Sequence, residues 1–197
     1  MIRILDKIPL EKRNMVAEVT VDMAGSMNLI AKKCFPKTEI VTDRFHVQKL
    51  ASEAVQEERI RLRWEVIELD NTAIQKARED GKTYKAEILF KLYPSIEKAY
   101  NLAQALNNIF ENNTNKDVAR LKLAQWYNKV EKSQFKSFNT ISRSIQLHYI
   151  PILNYFNNRS TNASAESFNA KIKEFRAQFR GVRDVKFFLY RLTKLFA

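Results

Sequence analysis

Glu18-Val19-Thr20-Val21-Asp22-Met23-Ala24-Gly25 opens with β-branched residues in alternation and closes on small residues, the pattern of a strand running into a turn. Ser26 to Phe35 then carries Met27, Ile30, Ala31 and Cys34 at helical spacing. Pro36 ends that helix, because proline has no amide hydrogen to donate. Thr38-Glu39-Ile40-Val41-Thr42 is a second short strand. Strand, helix and strand in about 25 residues predict a βαβ unit with a parallel crossover.

Beyond Thr42 the strand signal stops. Asp43 is a suitable N-cap for a long helix from about Phe45 to Asp80, with Val47, Leu50, Ala54 and Val55 on one side. Gly81 breaks that pattern, and helices are expected at about 84–92, 95–111, 116–132 and 138–156. The run Asn157-Asn158-Arg159-Ser160-Thr161-Asn162 has the composition of a polar loop. A further helix is expected from about Ser164 to Gln178, stopping at Arg180-Gly181, and a last one from near Asp184. The expected class is predominantly α with one short βαβ unit. Two strands alone leave a sheet edge open, so either the helices cover it or the chain is part of a larger protein.

Composition narrows the function. The 197 residues hold 34 Lys and Arg against 22 Asp and Glu, a formal charge of +12. Such an excess points to a polyanionic partner, most often nucleic acid. Gly25, Gly81 and Gly181 are the only glycines and lie too far apart for a phosphate-cradling loop. Cys34 stands alone, which excludes a disulfide framework and a multi-cysteine zinc site. No segment resembles a signal peptide, and no apolar run reaches the roughly 18 residues of a membrane span, so a cytoplasmic location is expected.

Three segments carry residues suited to chemistry. Asp22 sits at the carboxyl end of a parallel strand, where ligand and catalytic groups gather in open α/β sheets, or it serves as a helix cap. Asp43 and His46 follow the second strand in the same way; they suit a hydrogen-bonded pair, a metal pair or a base, or else a cap and a loop-orienting histidine. His148, beside Tyr149 on a helix, is expected to be a structural or surface residue, and Cys34 a buried small hydrophobe. In the third segment, Phe168, Ile172, Phe175 and Phe179 form an expected buried stripe, while Glu166, Asn169 and Lys173 share another face. That second face suits a metal beside a phosphate, and equally the polar side of an amphipathic helix. Residues 160–197 hold eight cations against three acids. Lys171, Lys173, Arg176, Arg180 and Arg183 are the candidate DNA contacts, since neutralising phosphate needs only surface charge.

Taken together, these segments resemble the ISL-three family of insertion-sequence transposases, within the DDE superfamily of RNase H-like enzymes. The resemblance rests on Val19-Thr20-Val21-Asp22-Met23, on Val41-Thr42-Asp43-Arg44-Phe45-His46-Val47, on Thr161-Asn162 with Glu166 and Asn169, and on Lys171-Ile172-Lys173 followed by Arg180-Gly181-Val182-Arg183. It implies that Asp22 is the second catalytic Asp and Glu166 the final Glu, and that both are metal ligands. It also implies supporting roles for Asp43, His46, Asn162 and Asn169. The implied architecture is a partial RNase H-like core interrupted by a large all-α insertion. Its parts are 1–46 with the strands, 47–157 as the insertion, and 158–197 as helices completing the core. The implied cofactor is Mg²⁺ or Mn²⁺, with two metals held by three carboxylates in the complete enzyme. The implied partners are DNA, as terminal inverted repeats and target, and another copy of the chain or a full-length transposase, in a bacterial, nucleoid-associated setting.

The family pattern also calls for a first Asp several tens of residues before Asp22. Asp6 is the sole acid before Glu11, in an Ile4-Leu5-Asp6-Lys7-Ile8-Pro9 context that looks like a connector and not an opening strand. The resemblance therefore implies a truncated chain, inactive alone, that has also lost some residues around Asp80 to Glu87. A non-enzymatic DNA-binding or regulatory module derived from a transposase is the alternative.

Overall fold

A computed structural model describes residues 1–68, 93–181 and 183–196. The expected helix at 84–92 and the far half of the helix towards Asp80 lie outside the described residues.

Two short helices, α1 (Ile2–Leu5) and α2 (Leu10–Asn14), precede the first strand. They stand where the sequence predicted only a connector. Arg13 holds them in place: it pairs with Asp6 at 3.2 Å and donates to the carbonyls of Ile8 (3.0 Å) and Cys34 (2.9 Å). The βαβ unit follows as expected: β1 (Glu18–Val21), α3 (Gly25–Cys34) and β2 (Glu39–Thr42), with the strands parallel and Val21 opposite Thr42. Val21, Ala31 and Ile40 close a small core between α3 and the strands, and Cys34 is buried as expected.

Helix α4 (Arg44–Glu68) leaves β2 directly. It packs against α5 (Pro94–Glu111), which packs on α6 (Lys116–Ser133); α7 (Lys136–Leu147) and α8 (Tyr149–Asn158) complete the bundle, with α8 laid along β2. Pro94 sits at the first helical position of α5, where a missing amide hydrogen costs nothing. Asn115 caps α6 by accepting the backbone N–H groups of Asp117 and Val118 at 2.8 and 3.1 Å. The main core is aromatic at its centre: Phe110 stacks on Phe156 (5.4 Å) and meets Tyr155 (5.8 Å).

The single helix expected over 138–156 is two helices, broken at His148. Pro151 is the cause. It cannot donate to the Leu147 carbonyl four residues back and its ring crowds that carbonyl, so α7 ends at Leu147 and α8 restarts at Tyr149 with Pro151 in its first turn. His148 is therefore a junction residue. The polar loop expected from Asn157 begins later, because Asn157 and Asn158 remain helical. Their amides donate to the strand carboxylates Glu39 (2.9 Å) and Glu18 (2.9 Å), and Arg159, at φ 56°, ends the helix.

The chain divides into two compact units, Met1–Ser160 and Thr161–Ala197. The second is a hairpin of α9 (Ala163–Gln178) and α10 (Val185–Phe196). Gly181, at φ 96°, takes the left-handed backbone that lets the chain turn between them. Asp184 caps α10, accepting the N–H groups of Lys186 (2.8 Å) and Phe187 (3.1 Å). The hairpin closes on Phe175, which meets Phe179 at 4.5 Å and Phe188 at 5.3 Å. The expected apolar stripe of α9 is only partly buried: Phe175 is 4% exposed, but Phe168 is 47% exposed. A second helix shields only the turns next to its crossing, and Phe168 lies two turns away from Phe175. No described helix is long and apolar enough to cross a membrane.

Candidate functional site

The parallel pairing sets the first half of the candidate site. Because Val21 lies opposite Thr42, the next residues, Asp22 and Asp43, sit side by side at the carboxyl end of the strand pair. The amino ends of α3 and α4 follow them immediately, so two helix termini with partial positive charge stand at that same end. Asp22 is half-buried, and its Oδ1 accepts the Ala24 N–H at 3.0 Å. It shapes the turn, while the capping position of α3 falls to Ala24, which offers no side-chain bond. Asp43 is fully buried and performs the expected cap, its Oδ1 accepting the Phe45 N–H at 2.9 Å. His46 is half-buried in the first turn of α4 and is tied to Asp43 through the backbone, N to O at 3.2 Å.

Arg44 is the residue here to which sequence reasoning assigned no role. Its guanidinium lies 5.0 Å from the Phe45 ring, and its Nε is buried without a hydrogen-bond partner. Thr42 Oγ1 is likewise buried without one. The available signal was a cation at the first position of a long helix, against the helix dipole, with no acid in that turn.

The second unit carries the other candidates. Asn162 is the N-cap residue of α9, and its carbonyl accepts the Glu166 N–H at 2.8 Å. Glu166 lies in the first turn, where the helix dipole favours a carboxylate. Glu166, Asn169 and Lys173 are all exposed along one face of α9. Four of the five candidate DNA contacts, Lys173, Arg176, Arg180 and Arg183, line one open groove of about 830 Å³ at the α9–α10 turn. Phe179 and Phe188 contribute to its apolar wall. Lys171 is exposed and does not line that groove. Arg191 lies over the Phe179 ring at 5.7 Å, adding a cation at the back of the hairpin.

Metal chemistry makes a stricter demand. Among the described residues no group of three or more His, Cys, Asp and Glu is placed to hold a metal ion. Asp22 and Asp43 each already give one oxygen to a backbone N–H. A two-metal site needs three converging carboxylates, and Asp22 and Asp43 are the two that the strand register brings side by side.

No curated protein and no solved structure matches the chain. A family model described as a transposase, that of the ISL-three (ISL3) group of DDE transposases, matches residues 1–192. That match spans both units and every segment named above, and the chain belongs to this transposase family.

Proposed function

We propose that the chain is the later part of a transposase catalytic domain, contributing Asp22 and Glu166 to DNA strand cleavage and transfer and depending on a further acid from outside these 197 residues. Transposases of the DDE type act on DNA and use divalent metal ions. In this reading the strand pair and the α9–α10 hairpin belong to one RNase H-like core, and the helices of 47–157 are an all-α insertion. Asp43, His46, Asn162 and Asn169 position the two carboxylates, and Lys171, Lys173, Arg176, Arg180 and Arg183 hold the DNA backbone.

The observation that carries it is the pairing of the family match with Asp22 at the carboxyl end of a parallel strand, beside two helix amino termini. The strand pair itself supports an incomplete sheet. On the β2 side, Asn154 of α8 donates to the Ile40 carbonyl, so a helix closes that edge. On the other side, β1 has no second strand among the described residues. Thr42 Oγ1 and Arg44 Nε are buried at the same end without hydrogen-bond partners.

The cationic groove at the α9–α10 turn, lined by Lys173, Arg176, Arg180 and Arg183, favours one further reading, a DNA-binding regulatory module that competes with a complete transposase. Both readings expect salt-sensitive DNA binding. They separate when a polypeptide carrying the first Asp is added: the catalytic reading expects nicking in the mixture, and the regulatory reading expects none. The purified chain, incubated with Mg²⁺ or Mn²⁺ and DNA bearing the terminal repeats of an ISL-three element, is expected to bind without nicking. Nicking that disappears in Glu166→Ala would refute the dependence on an outside acid.

A further inference from the structure

The helical body has a cationic groove of its own. Helices α5 and α6 lie side by side, their separation fixed by the buried Trp126, whose indole N–H donates to the Leu102 carbonyl at 2.9 Å. Beside that contact runs an open groove of about 420 Å³. Lys98 and Asn101 line it from α5, Lys129, Lys132 and Ser133 from α6, and Leu102 lies at its base. On each helix these positions are three and four apart, so the polar groups of each wall share a face.

Among the described residues no Asp or Glu lines the groove. Glu131, between Lys129 and Lys132 in sequence, faces a different cleft with Tyr127 and Arg143. Among the described residues Lys98, Lys129 and Lys132 enter no ion pair. Three ammonium groups facing one groove repel each other, and nothing in the packing of α5 on α6 requires them. Over residues 93–160 as a whole, nine Lys and Arg stand against four Asp and Glu.

We infer that the α5–α6 groove is a second DNA contact, gripping backbone phosphates with Lys98, Lys129 and Lys132 while Asn101 donates to a phosphate oxygen. The choice of DNA rests on the transposase reading; the groove and its charge do not. Lysine is depleted from protein–protein interfaces, whereas as a flexible point charge it suits phosphate, so a nucleic-acid backbone fits this lining better than an acidic protein. The contact reads no sequence, because phosphates are the same at every base pair.

The test compares the full chain with a Lys98→Ala/Lys129→Ala/Lys132→Ala variant, titrating both onto a duplex of random sequence at several salt concentrations. Each lost phosphate contact lowers the slope of log affinity against log salt by about 0.9, so the variant should lose up to about 2.7. Between 50 and 200 mM salt, its binding should therefore weaken about fortyfold less than that of the parent. A control, Lys32→Ala/Lys33→Ala/Lys37→Ala, removes the same charge from the exposed end of α3 and the turn after it and should leave the slope nearly unchanged. The triple Lys→Arg variant should keep the parental slope, and unchanged melting curves show that the fold is intact. Equal slopes for the groove variant and the parent overturn the inference while leaving the transposase reading standing. So does an equal loss in the control, which would mean that net charge alone is felt. Tighter capture of an acidic polypeptide than of DNA overturns the assignment to phosphate. Nicking by the chain alone bears on the catalytic proposal and leaves the groove untouched.

Discussion

Asn154 joins the helical body to the strand that leads into Asp43, and its replacement tests whether that joint matters. The residue is 7% exposed on α8; its Nδ2 donates to the Ile40 carbonyl at 3.0 Å, and its Oδ1 accepts from Lys116 Nζ at 2.8 Å. Asn154→Ala leaves the Ile40 carbonyl buried and unanswered, a cost of about 1–3 kcal/mol. Lys116 is half-buried and turns to water, so its loss adds little. For a chain of this size that total lowers Tm by about 2–12 °C. Asn154→Asp sharpens the point. Near neutral pH it sets a carboxylate against the Ile40 carbonyl, partly offset by Lys116. As pH falls through the carboxylate range, the protonated side chain regains a donor and stability should recover relative to the alanine variant. The assay is thermal unfolding combined with amide hydrogen exchange. Protection should fall most in Glu39–Thr42 and the paired β1, and least in α5 and α6. An unchanged Tm, or protection lost evenly along the bundle, would refute the idea that α8 secures the strand pair through this bond.

Other outcomes follow from the packing. Phe110→Ala empties the aromatic centre around Tyr155 and Phe156 and should cost about 3–5 kcal/mol in denaturant unfolding. Arg159 donates to the carbonyls of Asn113 (2.9 Å) and Phe110 (3.1 Å) at the end of α5, so Arg159→Ala should lose about 1.5–3 kcal/mol. Because Arg159 sits at φ 56°, Arg159→Gly should recover about 1 kcal/mol of that loss, by relieving the left-handed backbone. Burial, with a smaller contribution from Tyr149, holds the Tyr127 hydroxyl well above the ordinary tyrosine range. The folded state therefore keeps this proton after the unfolded chain releases it, and stability should fall as pH rises above about 10. Tyr127→Phe should flatten that fall in melts recorded from pH 8 to 11, with no loss at neutral pH, since the hydroxyl has no hydrogen-bond partner.

The parts of the fold legible in the sequence were those governed by local pattern. β-branched alternation at Val19 to Val21, the terminator Pro36 and the cap Asp43 sufficed for the βαβ unit and the start of α4. The break at His148 was missed because apolar periodicity continues across it, while the decisive event is one missing N–H at Pro151, four residues beyond Leu147. Asn157 and Asn158 were misplaced in a loop because composition cannot show that their amides have strand carboxylates to bind. The exposure of Phe168 follows from how little of a helix a single neighbour can shield, which spacing does not reveal. At the candidate site, Asp22 and Asp43 could be placed by strand register alone. The Lys98–Lys129–Lys132 groove could not, since it requires knowing which faces of α5 and α6 meet.

The central claim, that Asp22 and Glu166 are two acids of a transposase centre completed from outside these residues, meets its most direct test in complementation. The chain is mixed with a polypeptide carrying the earlier strands and first Asp of an ISL-three transposase, and nicking of terminal-repeat DNA is followed with Mg²⁺ present. Nicking is expected only in the mixture, and Asp22→Asn or Glu166→Gln in this chain should abolish it while DNA binding persists. Nicking in the mixture that survives either substitution would contradict the claim.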